Sequence, residues 1–215
     1  MDVKDQFCIA RQAICDRHLQ VKAYELLYRA SQQANHAEII DPHEATARVT
    51  GQALLDYGLD KIAPNQQIYI NLSSHWIKNN ELLPVARIKN RIVLQIPRNI
   101  QLNDQLAESL RTIRQKGFQI ALDDYHYNDP RRVLLPDVDI VIVETQNQSF
   151  SILELVQEFL SQYSVITVAE KIESWTDFNQ LKTLGFDLYQ GYFLSRPETL
   201  EQTSHSNNRM VMTRL

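Results

Sequence analysis

The feature that most constrains this chain is a repeated alternation. Short runs of β-branched and large apolar residues are followed, again and again, by segments with helical periodicity. Runs at Phe7–Ala10, Val21–Tyr28, Ile68–Leu72, Ile92–Ile96, Gln119–Asp123, Asp139–Val143, Val165–Ala169 and Leu188–Phe193 read as strands. Strands that alternate with helices imply a parallel sheet, and eight of them suggest that the sheet closes. The first two runs are joined too briefly for a helical crossover, which predicts an antiparallel hairpin. The expected fold is α/β, a TIM-like (β/α)8 barrel with an antiparallel first strand over residues 1–200. Residues 201–215 have weak periodicity and read as a tail or linker.

Helix boundaries carry their own signals. Asp41-Pro42 followed by Glu44 places a cap, a first-position proline and a carboxylate at a helix start. Asn103 can cap a helix whose Leu106, Leu110 and Ile113 share one face, with Gly117 ending it. Ile152, Leu155, Val156, Phe159 and Leu160 form a helical stripe. Ser174 with Asp177 resembles a capping box before Leu181, Leu184 and Gly185.

Composition narrows the function classes. At 215 residues the chain fits one domain with a sizeable core. A net charge of −4 leaves no basic excess to neutralise a nucleic-acid backbone, so no general nucleic-acid binding is expected. Phosphorylated small molecules need only a few placed arginines. No apolar stretch approaches the roughly 18 residues that span a bilayer, and the N-terminus lacks a signal-peptide pattern. Cys8 and Cys15, the only cysteines, match no zinc spacing and read as reduced thiols of a cytoplasmic protein.

Polar residues recur near the strand ends. Glu25 lies in the second strand, Asn71 in the third and Gln95 in the fourth; Asp123 and Asp124 end the fifth, Glu170 ends the seventh, and Gln190 lies in the eighth. The C-terminal ends of barrel strands are where such folds build their sites. Four carboxylates at one mouth would repel one another, and a hard divalent cation with oxygen ligands, Mg²⁺ or Mn²⁺, is the usual remedy. Separate solvation of each residue at its own loop is the simpler alternative.

The blocks AYELLYR (residues 23–29), YINLS (69–73), ALDDY (121–125), VAEKIES (168–174) and YQGYFLSRP (189–197) follow one another in an order that resembles the EAL domain family. Members are cyclic di-GMP phosphodiesterases and their degenerate relatives. The opening FCIARQAICDRHLQVKAYELLYRA is most similar to the EAL half of bacterial EAL–HDOD proteins. The resemblance implies that Glu25, Asn71, Asp123 and Glu170 are metal ligands and that Asp124 serves a second metal. It also implies that Gln190 helps to hold the site, that Arg29 meets a phosphate of cyclic di-GMP, and that Glu173 steadies a loop.

Two positions depart from the family pattern. Gln95 stands where active members carry a metal-binding glutamate, and Ile142 stands where they carry a lysine near the attacking water. Gln95 keeps an oxygen but loses a charge, and Ile142 has neither charge nor donor. Loss of one preorganised group of this kind costs about 2.7–4 kcal/mol, or roughly 10²–10³ in rate. The loop Tyr125–Arg132 also lacks the glycines of active relatives.

Three readings follow. One is a catalytically degenerate EAL domain acting as a regulatory module, with a protein partner or an HDOD domain beside it and a homodimer open. The second is a non-hydrolysing cyclic di-GMP receptor using Arg29, with Arg131 and Arg132 on phosphates and Tyr125 or Tyr127 stacked on guanine. In the alternative placement, Arg131 and Arg132 start a short helix and face water. The third is a residual metal-dependent phosphodiesterase. His126 lies beside the aspartates and reads as a solvated loop histidine, His36, His43 and His75 share no ligand spacing, and Trp76 and Trp175 read as packing anchors, with an interface role open for Trp175.

Overall fold

A computed structural model describes residues 8–29, 59–72, 76–77 and 89–200. The Asp41–Glu44 helix start, His36, His43, His75 and the tail 201–215 lie outside the described residues. So do the side chains of Cys8 and Arg29.

Within them the strands are β1 (Cys8–Asp16), β2 (Val21–Arg29), β3 (Gln67–Asn71), β4 (Ile92–Ile96), β5 (Gln119–Tyr125), β6 (Ile140–Glu144), β7 (Ile166–Glu170), β8 (Leu188–Tyr189) and β9 (Glu198–Leu200). The helices are α1 (Leu59–Ile62), α2 (Asp104–Gln115), α3 (Phe150–Leu160) and α4 (Trp175–Leu184), and Pro130–Asp137 forms a 3-10 segment before β6. β2 to β8 are parallel neighbours in chain order. β1 closes the ring by pairing antiparallel with both β2 and β8, as the short first connection predicts. β9 extends β1 at its outer edge, with Ile9 opposite Leu200. Its three residues contain no apolar alternation, so periodicity could not mark them.

The period-two alternation sorts the sheet into two faces. Ile14, Ala23, Tyr69, Val93, Ala121, Ile140, Ile142 and Val168 fill the barrel interior. Their neighbours Ile68, Ile92, Leu94, Ile120, Val141 and Val143 face outward under the helices. α2 delivers Leu106, Leu110 and Ile113 to that outer core, and Asn103 caps it by accepting from Leu106 N at 2.8 Å. Each such buried side chain stabilises by about 1.5–3 kcal/mol. Ser174 accepts from Asp177 N at 3.1 Å, and Gly185 at φ 86° ends α4 in the left-handed region. The α3 stripe differs from expectation: Leu153, Val156 and Leu160 are buried, whereas Leu155 is 43% exposed. No helix among the described residues is long and apolar enough to cross a membrane.

Candidate functional site

The interior face of each strand runs apolar and then turns polar at one end of the barrel. On β2 it reads Ala23 then Glu25, on β3 Tyr69 then Asn71, on β4 Val93 then Gln95, and on β7 Val168 then Glu170. β1 runs the opposite way, so Gln12 precedes Ile14 and reaches the same end, directly opposite Glu25. Period-two geometry thus gathers at one mouth residues far apart in sequence. The cavity there has a volume of about 500 Å³ and is lined by Glu25, Asp123, Asp124, Glu170, Lys171 and Tyr192 among others.

A bulge presents the two aspartates. Leu122 pairs with Val141 and Tyr125 with Val143, so β5 holds one extra residue across that interval. Asp124 takes φ 48°, in the left-handed region. The bulge lets consecutive aspartates both line the mouth, whereas a regular strand would send one of them to the opposite face. Arg131 secures this turn. It is fully buried, donates to both carboxylate oxygens of Asp129, and reaches the carbonyls of Ile96 at 3.2 Å and Asp124 at 3.2 Å. Arg131 is therefore neither a phosphate contact nor a water-facing residue, because its guanidinium is consumed inside the fold; of the arginine pair, Arg132 alone is exposed.

Three amides hydrogen-bond Glu25, with the charge of Asp124 nearby. Gln190 Nε2 donates to its Oε2 at 2.6 Å, while Asn71 Nδ2 and Gln95 Nε2 donate to its Oε1 at 3.3 and 3.4 Å. Burial pushes the Glu25 carboxyl up, against the pull of these three donors. Burial, with Glu25 and Asp124 beside it, pushes Asp123 up to about 7. Burial and the charge of Asp123 push Glu170 up to about 9. Asp124 goes the other way. Burial would raise it, but hydrogen bonds from Lys171 and Glu170 and the Lys171 charge hold it below the usual carboxylate range.

Two charged groups at the mouth carry no signal that sequence reasoning used. Glu144 ends β6 in register with Glu170, one residue beyond the predicted strand end. Its Oε1 accepts from Asn147 at 2.7 Å and its Oε2 lies 3.3 Å from His126 Nε2. Lys171 Nζ sits 2.8 Å from Asp124 Oδ1, 3.4 Å from Glu144 Oε2 and 3.7 Å from Glu170 Oε1. A strand boundary off by one hides Glu144, and Lys171 follows the strand, where periodicity carries no information.

Ile142 lies one pleat below Glu144, opposite Val168 and with no exposure. Its neighbours in the barrel interior are hydrophobic. Glu173 is exposed and accepts from Gln146 Nε2 at 2.7 Å, which links the loops after β6 and β7. Arg29 ends β2. Trp175 is 58% exposed, edge-on to Phe178 and Phe193, so it caps the core from outside and is not a buried anchor; Trp76 is buried.

The pair of divalent ions implied by the resemblance does not fit this arrangement. Amide N–H groups occupy both oxygens of Glu25, and the Lys171 ammonium holds Asp124, Glu144 and Glu170. Among the described residues no three His, Cys, Asp or Glu side chains come together as a metal-holding group.

The profile described as EAL domain matches residues 3–197. The chain is 29% identical over 209 residues to a protein of Vibrio cholerae named cyclic di-GMP phosphodiesterase CdgJ, covering 96% of this chain and 48% of that one. It is 27% identical to the uncharacterized protein YuxH of Bacillus subtilis, covering 89% of this chain and 47% of that one. The chain thus spans about half the length of these relatives. Among solved structures, the Bacillus subtilis YkuI protein with an EAL domain, in complex with cyclic di-GMP and calcium, superposes with a TM-score of 0.74 at 21% identity, over 92% of this chain and 57% of that one.

Proposed function

The chain belongs to the EAL domain family, and from that premise we propose that it is a catalytically degenerate EAL domain that works as a regulatory module in cyclic di-GMP signalling. The observation that carries this reading is Ile142, buried without exposure among apolar interior residues. A side chain with no charge, donor or acceptor cannot orient or activate a water. Gln95 adds to the deficit. It offers Glu25 an N–H, and its own oxygen accepts no hydrogen bond.

With catalysis lost, the retained barrel serves as a docking unit for a protein partner, an HDOD domain being the partner that the opening segment suggests. Exposed Trp175 and Tyr192, 58% and 62% accessible, supply aromatic surface of the kind enriched at such contacts. Among the described residues, the lysine at the mouth is already claimed by carboxylates and so offers little attraction to a free dinucleotide phosphate. The test is a hydrolysis assay on purified protein with Mg²⁺ or Mn²⁺. The expected result is intact cyclic di-GMP, and robust conversion to the linear dinucleotide overturns the reading.

A second reading, a slow metal-dependent phosphodiesterase, draws support from the name of the Vibrio relative. It expects the double change Gln95→Glu, Ile142→Lys to raise turnover sharply.

A further inference from the structure

We propose that Lys171 is a tethered cation that takes the charge position a divalent ion would need beside Asp124, so that this side of the mouth draws its counter-charge from its own chain. The inference deepens the proposed loss of catalysis.

Asp124, Glu144 and Glu170 come from the ends of three adjacent strands, and the Lys171 ammonium lies within 2.8, 3.4 and 3.7 Å of one oxygen of each. Glu170 shares a proton with Asp124, but the negative charge that remains in the cluster has no offset without a cation. Glu144 is otherwise engaged by Asn147 and His126, and Glu170 Oε1 accepts no hydrogen bond. The single ammonium therefore supplies the positive charge that this part of the mouth requires.

Backbone geometry points the same way. Lys171 takes φ 61°, in the left-handed region, where a side chain costs roughly 1–2 kcal/mol and glycine costs little. A position whose backbone suits glycine holds a lysine whose stem crosses to the acids of two neighbouring strands. The ammonium and a divalent ion cannot share these oxygens. A metal would need them at about 2.0–2.6 Å, inside the volume that Nζ already fills. Lys171 is 42% exposed on its side chain, so it can swing out. Metal binding here is thus a competition with an internal group.

Titration of the purified chain with Mn²⁺, followed by calorimetry and by the shift in Tm, tests this. Lys171→Gly and Lys171→Met should each bind Mn²⁺ about tenfold or more tightly than the wild type, and their Tm should rise more on adding it. Lys171→Arg should behave as the wild type. Lys171→Gly is the safeguard against misfolding, because glycine accepts this φ without strain. Unchanged Mn²⁺ affinity in the glycine and methionine variants overturns the inference and leaves the loss of catalysis standing. Hydrolysis by the wild type overturns the loss of catalysis, while the comparison of metal affinities still decides the role of Lys171.

Discussion

Lys171 Nζ lies 2.8 Å from Asp124 Oδ1, and the two residues share a second property: both hold a left-handed backbone, φ 61° and 48°. Strained conformations persist when the surroundings over-determine them, and they cluster at functional sites. Here the strain at Asp124 comes with the β5 bulge and that at Lys171 with the turn after β7. The ion pair joins the two turns across β6.

The raised acids make stability depend on pH with a definite sign. Glu170, shifted from 4.5 to about 9, and Asp123, shifted from 3.8 to about 7, hold protons in the folded state that the unfolded chain has released. Their contribution is fully present below about pH 4 and is lost as pH rises through about 7 and then about 9. Tm in a metal-free buffer series should therefore fall between pH 5 and pH 9, and Glu170→Gln should flatten the decline above pH 7. A wild-type Tm that rises over this range would contradict the assignment.

Arg131 and Asp129 form a buried ion pair at 2.7 Å, with 1% and 3% side-chain exposure. Removing one partner of such a pair leaves an uncompensated charge and costs about 3–5 kcal/mol. Arg131→Ala should lose stability of that order in a denaturant titration. The same change also frees the carbonyls of Ile96 and Asp124 that Arg131 ties together. Arg132→Ala, on an exposed neighbour, should change stability by less than about 0.5 kcal/mol.

Gly191 is required by a close approach. A Cβ built there would lie 2.0 Å from the carbonyl oxygen of Ile172 and 2.5 Å from its nitrogen, both backbone atoms that cannot rotate away. Overpacking of this kind typically costs about 1–3 kcal/mol, and each kcal/mol lowers Tm by about 2–4 °C in a domain of this size. Gly191→Ala should therefore melt several degrees below the wild type. An unchanged Tm would show that the loop after β8 can move away from Ile172.

Much of the architecture was legible because it rests on periodicity. β4, Ile92–Ile96, matches its predicted span, and the brief first connection correctly gave an antiparallel pair. Polar residues at strand ends foretold that Glu25, Asn71, Gln95 and Gln190 would share one mouth, since side chains two apart share a face. What was not legible depended on irregularity. The β5 bulge, the extension of β1 to Asp16 and the short β9 leave no periodic trace. The burial of Arg131 was hidden for a different reason. It depends on Asp129 accepting from both its backbone and its guanidinium, a local turn whose residues read equally well as a solvated helix start.

The most direct test is a single-turnover measurement with protein in excess over cyclic di-GMP and saturating Mn²⁺. Two lost groups, each worth about 10²–10³ in rate, should leave conversion at least about 10⁴-fold slower than in an active member of the family. A wild-type rate within tenfold of such an enzyme would contradict the claim that Ile142 and Gln95 have silenced this barrel.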